Sequence, residues 1–244
     1  ININRIPRRN MQLLIEKRLG GQDADPAEVQ DLLAAWTDWT DLNDLEGLNG
    51  AESDYYRGLD QSYSPRNNPE LDTVEELLYI RGFAELFEGV NLQAAFTIYG
   101  NARTVNLNLA TREAMELLPG LNEELIENII AYRQLEDINN RAEIAEIVPF
   151  EELQELSPWV GNATSNYYSI YVYFDNQQTD ENPENQESFN NEEGVDADYM
   201  THAFMETIEV TGFNDLPRVL RIDPYSILPD SAPSRLMADE YIFR

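Results

Sequence analysis

The opening fourteen residues of this chain recur without a gap at 105–118. Ile1-Asn2-Ile3-Asn4 and Val105-Asn106-Leu107-Asn108 alternate apolar and amide side chains. Asn2, Asn4, Arg8, Met11, Leu13 and Leu14 reappear as Asn106, Asn108, Arg112, Met115, Leu117 and Leu118. A stretch that recurs in this way is expected to take one local structure twice, and each copy reads as a short extended piece followed by a helix. In the second copy Thr111 stands as an N-cap and Pro119-Gly120 as a stop. A further helix follows in each, Pro26 to Trp36 and Asn122 to Arg133. In the latter Leu125, Ile126, Ile129 and Ile130 share one face. Leu71 to Ile80 and Arg141 to Ile147 read as two shorter helices. Residues 1–160 are therefore expected to be a mostly helical domain built on a duplicated helical hairpin, with repeats near 1–36 and 105–133.

The pattern changes after Pro158. Tyr167 to Phe174 is aromatic and β-branched, as in a strand, and Met200 to Val210 and Pro217 to Ile222 read as two more. Short connections favour an antiparallel sheet, so the expected class is α+β, with residues 161–244 as the β domain. The stretch 175–198 is rich in Asn, Gln, Glu and Asp and reads as a polar, acidic loop. No Lys or Arg occurs from Ala142 to Pro217.

Charge narrows the partners. Sixteen basic residues against 46 acidic give a formal net charge of −30. Such a surface repels nucleic acid and anionic membranes and attracts cations. A general adaptation for solubility accounts for the bulk charge equally well. No run of roughly 18 apolar residues occurs, so nothing in the sequence spans a bilayer as a helix. The chain opens at Ile1 inside an alternating segment, which reads as a piece of a longer protein whose targeting or anchoring segment lies elsewhere.

Most enzyme chemistry finds no support. There is no Cys, and the single His, His202, falls in an expected strand. A zinc site, a Ser-His-Asp triad with its nucleophile elbow, and phosphate-binding glycine loops all lack their residues. Carboxylate pairs are too common for composition to single out one acid/base pair. The chain is read as a non-enzyme.

The densest chemistry lies at 38–54, where Asp38, Asp41, Asn43, Asp44, Glu52 and Asp54 crowd together with no basic residue among them before Arg57. Hard oxygen ligands at such spacing suit calcium. With Asp41 as position one of an EF-hand loop, Asn43 falls at three and Glu52 at twelve. Leu45 fails at five, and Gly47 comes one residue late. Carbonyls of the Leu48-Asn49-Gly50 turn offer further oxygens. The alternative is a solvated acidic loop whose Trp39, Tyr55 and Tyr56 fill the core.

Two resemblances follow from these residues. Val105 to Ala110, followed by Leu117-Leu118-Pro119-Gly120-Leu121, resembles the helix-hairpin-helix (SAM-like) unit of DNA-uptake and repair proteins. Here the second hairpin glycine is replaced by Asn122, and Glu123 and Glu124 stand where a phosphate would bind. The unit is therefore read as a packing module, with a helix-hairpin-helix adaptor or nucleic-acid binder as the alternative function.

The second resemblance is wider. Asp38-Trp39-Thr40-Asp41-Leu42-Asn43, then Gly50-Ala51-Glu52-Ser53 and Tyr56, then Tyr63 to Pro69 with Asn68, then Val74-Glu75-Glu76-Leu77, follow one another in the order of the GspK family. These are the large minor pseudopilins of type II secretion systems. Asn43 and Ser53 replace acids of that pattern, with Asp44 and Asp54 adjacent. The resemblance implies a pilin-like antiparallel sheet carrying a large helical insertion. It implies a structural subunit that caps the pseudopilus tip and helps initiate its assembly, with the I- and J-type minor pseudopilins as partners and exported proteins as a further contact. It implies a periplasmic domain anchored in the inner membrane by an N-terminal helix. It also implies calcium, held by Asp38, Asp41, Asn43, Glu52 and Asn68, with Asp44 and Asp54 in reserve.

Overall fold

The computed structural model describes residues 1–60, 62–65, 68–173, 202–212 and 214–229. The acidic stretch expected to form a loop at 175–198 lies outside the described residues. The chain divides into two compact units, one built on Ile1–Asn166 and the other on Tyr167–Leu228.

The first unit is helical. Its helices are α1 (Arg8–Arg18), α2 (Pro26–Thr40), α3 (Ser53–Arg57), α4 (Phe83–Leu86), α5 (Leu92–Ala95), α6 (Arg112–Glu116), α7 (Glu123–Arg133), α8 (Arg141–Ile147) and α9 (Phe150–Leu156). The helix expected at Leu71 to Ile80 is a shorter 3₁₀ helix, Val74–Tyr79. Short polar side chains start several of these elements. Asp25 accepts from Ala27 N, Thr111 from Ala114 N, Asn122 from Leu125 N, and Asn140 from Ala142 N and Glu143 N. Each bond satisfies a donor that the first helical turn leaves free. One apolar core runs through the unit, from Met11, Leu14 and Leu33 to Phe83, Met115, Ile129 and Trp159.

The two aligned stretches make the same hydrogen bonds. Ile1 N donates to Ala95 O and Thr97 N to Ile1 O. Likewise Val105 N donates to Trp159 O and Gly161 N to Val105 O. Asn4 exchanges two bonds with the backbone of Leu71, at 2.8 and 3.0 Å. Asn108 does so with Ile138, at 2.9 Å each. In both copies the first Asn accepts from the backbone of the second, Asn2 from Asn4 N and Asn106 from Asn108 N. An amide side chain can donate and accept at once, which is what a single extended residue requires. The copies differ in one connection. Residues 134–137 join α7 to Ile138, whereas 41–70 lie between α2 and Leu71, and this longer connection holds the acidic cluster.

The second unit is a three-stranded antiparallel sheet in the order β1 (Tyr167–Val172), β2 (His202–Glu209), β3 (Arg218–Ile227). β3 runs past the expected end at Ile222. Tyr168 pairs with Ile208, Val172 with Phe204, Ile208 with Val219, and Glu206 with Ile222. The alternation of strand side chains therefore puts Tyr168, Ile170, Val172, Phe204, Val219 and Ile222 on one face, all exposed. Ala203, Met205 and Thr207 alternate with them and are buried. Among the described residues no helix is long and apolar enough to cross a membrane.

Candidate metal centre

Helix α2 sets the geometry. Its buried stripe of Val29, Leu32, Leu33 and Trp36 continues beyond the expected end into Asp38 and Trp39 on the last turn. Thr37 and Thr40 return their hydroxyls to Leu33 O and Trp36 O. No basic residue stands in that last turn, and Asp41 is the C-cap. Two carboxylates therefore sit at the negative end of the helix dipole, an arrangement that a cation relieves.

The connection folds back onto Asp38. Gly47 N lies 3.3 and 3.1 Å from the two carboxylate oxygens, and Gly50 N donates to Gly47 O. A Cβ on Gly50 would come within 1.8 Å of Asp38 Oδ2. Asn49 takes a left-handed conformation at φ 58°. Beyond the turn, Glu52 precedes α3 without capping it. Its side chain is 3% exposed, and neither carboxylate oxygen has a hydrogen-bond partner.

Asp38, Asp41 and Glu52 each contribute an oxygen to a set lying within 4.8 Å of one another. Two calcium–oxygen bonds of ~2.3–2.6 Å placed end to end span a similar distance. Burial, then the charges of Asp38, Asp41 and Asp44, pushes the Glu52 carboxyl up to about 7. A carboxyl held this way carries a proton or meets a cation. The orphaned Glu52 oxygens and the hard, all-oxygen donor set fit a calcium-class ion.

Residues 1–87 match the family model for type II secretion system (T2SS) protein K. Those residues are similar to the first domain of protein K. The match supports a role in type II secretion. Residues 100–155 match the helix-hairpin-helix motif. A comparison with curated proteins finds no match.

The other expected ligands are placed less directly. Asn43 Oδ1 accepts from Leu45 N, and Asn68 Oδ1 accepts from Glu70 N, each within its own turn. Asp54 is almost fully exposed and pairs with Arg57 at 3.6 Å. Asp44 lies beside Ser53, whose hydrogen bond to its carboxylate is the leading reason that its pKa falls below the ordinary value. The turn carbonyls are engaged elsewhere. Arg81 Nη1 donates to Gly50 O at 2.7 Å, and Nη2 to Asn49 O at 2.5 Å and Asp31 O at 3.3 Å. A cation on those two carbonyls would face the guanidinium. Arg81 also lies 5.4 Å from the Tyr55 ring centre, and its amide donates to Tyr56 Oη. Sequence reasoning missed this clamp, because nothing local marks Arg81 as a partner of residues 49–50.

The helix-hairpin-helix turn is occupied by the chain's own fold. Gly120 has φ +77°, and a Cβ there would lie 2.2 Å from Glu152 O of α9. Lys17 Nζ donates to Leu118 O at 2.6 Å and Leu121 O at 2.7 Å, so α1 ties down the hairpin carbonyls. Glu123 and Glu124 fill the first turn of α7, where a phosphate would need positive potential. This packing does not favour a nucleic-acid reading.

Proposed function

We propose that this chain is the periplasmic part of a minor pseudopilin that caps the tip of the type II secretion pseudopilus, helps initiate its assembly and performs no catalysis. The observation that carries the reading is the protein K domain over residues 1–87, with the convergent carboxylates inside it. A hydrophobic helix outside this sequence would anchor it to the inner membrane, as the resemblance implies. The I- and J-type minor pseudopilins would be its partners, and exported proteins would pass close by. The apolar sheet face of Tyr168, Ile170, Val172 and Phe204 supports a subunit that makes protein contacts, since ordered apolar patches of this kind mark interaction surfaces.

Calcium would be held by Asp38, Asp41 and Glu52, with Asn43, Asp44 and Asn68 as the further expected oxygen donors. Bound there, the ion supplies positive charge and no reaction. Asp38 ties α2 to the Gly47–Gly50 turn, Glu52 leads into α3, and Arg81 clamps the same turn from the other side. Loading would fix the whole connection.

The test is thermal unfolding of chelator-treated protein with and without millimolar calcium, magnesium serving as control. An ion at about a hundred times its dissociation constant adds ~2.7 kcal/mol. For a chain of this size that raises the melting temperature by roughly 5–10 °C. The rise is expected with calcium and lost in Asp41→Ala and Glu52→Ala. Equal midpoints in every condition would remove the metal from the reading. The tip role is checked separately, by mixing the chain with the I- and J-type pseudopilins and measuring a heterotrimer by light scattering. A chain that stays alone would count against it.

A further inference from the structure

A second site lies in the other half of the helical unit. Beside the Val105–Val160 bridge is a cavity of about 240 Å³. Leu107, Ile138, Ile144 and Val160 form its apolar lining, and the first three are almost completely buried. Exposed Arg141 and Asn162 also line it and form its mouth. A dry cavity of ~150 Å³ already holds a benzene ring, so this one takes a branched or aromatic side chain with a few further atoms.

The rim of the cavity carries a positive charge, Arg141. Arg5, Arg57, Arg112, Arg218 and Arg221 each have a carboxylate partner. Arg141 has only a long contact of 3.4 Å to Ser157 O, and among the described residues no carboxylate lies within ion-pair reach of it. In a chain with 46 acidic residues, a guanidinium beside an apolar cavity is left available.

The first repeat provides an internal comparison. The shared hydrogen bonds match Leu71 to Ile138 and Thr97 to Gly161. By that register Val74 stands for Arg141, Phe96 for Val160, and Ile98 for Asn162. Val74 and Phe96 are buried, and Ile98 packs against the core. The first copy closes this place with apolar side chains, where the second has Gly161, a smaller Val160 and polar groups at the rim.

We propose that the cavity binds a branched apolar group ending in a carboxylate, with the apolar part on Leu107, Ile138, Ile144 and Val160 and the carboxylate on the Arg141 fork. The C-terminal residue of a polypeptide and a small free branched acid share this chemistry.

The test titrates isotope-labelled full chain with three probes, followed by amide and methyl chemical shifts. The probes are acetyl-Ala-Ala-Leu with a free carboxylate, the same peptide as its amide, and 4-methylpentanoate. Saturable shifts at Leu107, Ile138, Ile144 and Val160 are expected, with the acid peptide bound at least tenfold more tightly than the amide. Arg141→Gln, at an exposed position, should erase that preference without moving the melting temperature. Val160→Phe should weaken all probes. Tighter binding of the acid peptide than of 4-methylpentanoate identifies a chain terminus, and equal binding identifies the free acid; both support the site. Absence of saturable shifts at the cavity, or equal affinity for acid and amide in the unsubstituted chain, overturns it.

Discussion

Gly50 is held by a single contact that no larger residue can share. Its α-carbon faces the Asp38 carboxylate so closely that an added Cβ would meet Oδ2 at 1.8 Å. Asp38 is buried and cannot swing out without giving up Gly47 N. Gly50→Ala should therefore destabilise the chain by about 1–3 kcal/mol, the usual range for forcing atoms into packed space. It should also reduce any calcium-dependent gain, because the displaced carboxylate is a ligand in the proposed site. Urea unfolding with and without calcium measures both effects. Glu52 behaves differently. Its burial beside Asp38 and Asp41 stabilises the neutral form, so Glu52→Gln should leave the calcium-free protein at least as stable as before while abolishing its response to the ion. A lower midpoint for that variant without calcium would contradict this account of its environment.

Among elements, the extended pieces before α1 and α6 depend on single amides. Asn108 satisfies both backbone groups of Ile138, which is 3% exposed. Asn108→Ala leaves those groups without their partners and should cost about 1–3 kcal/mol in urea unfolding. Asn4→Ala should act alike through Leu71. The tie between α1 and the hairpin before α7 responds to pH. Burial lowers the Lys17 ammonium from an ordinary 10.5 to about 8. Between those values the unfolded chain binds the proton that the folded chain has released, so this residue adds stability as pH rises through that window. The stability of the unsubstituted chain relative to Lys17→Met should grow between pH 8 and 10.5. A flat difference would show that Lys17 keeps its proton when folded.

For the whole molecule, charge decides more than motif. A helix-hairpin-helix match is compatible with DNA binding by its ancestry, yet 46 acidic residues against 16 basic leave little for a phosphate backbone to hold. With Gly120 packed on α9 and Lys17 spent on hairpin carbonyls, the motif serves as structure. Duplex DNA at low salt should show no retardation with this chain. Tight, salt-sensitive binding would reverse that conclusion.

Features that depend on near neighbours could be read from the sequence. The alternation of Asn2, Ile3 and Asn4, the cap at Thr111 and the apolar face of α7 each rest on residues within a turn or two, and short-range periodicity reports them directly. The crowding of carboxylates at 38–54 was visible for the same reason, as was the order of motifs shared with protein K. Features that depend on the packed core were not visible. Asp38 is on a helix because the apolar stripe of α2 runs on to Trp39. Glu52 meets it across a folded-back connection. Arg81 takes the Asn49 and Gly50 carbonyls, and Lys17 reaches Leu118 and Leu121. A buried polar atom bonds to whatever the fold brings within about 3 Å, and distance along the chain does not enter that choice. The sequence therefore determined the repeat, the crowding of carboxylates at 38–54 and the likeness of residues 1–87 to protein K, while the tertiary structure alone decided which oxygens converge and which are already bound to protein.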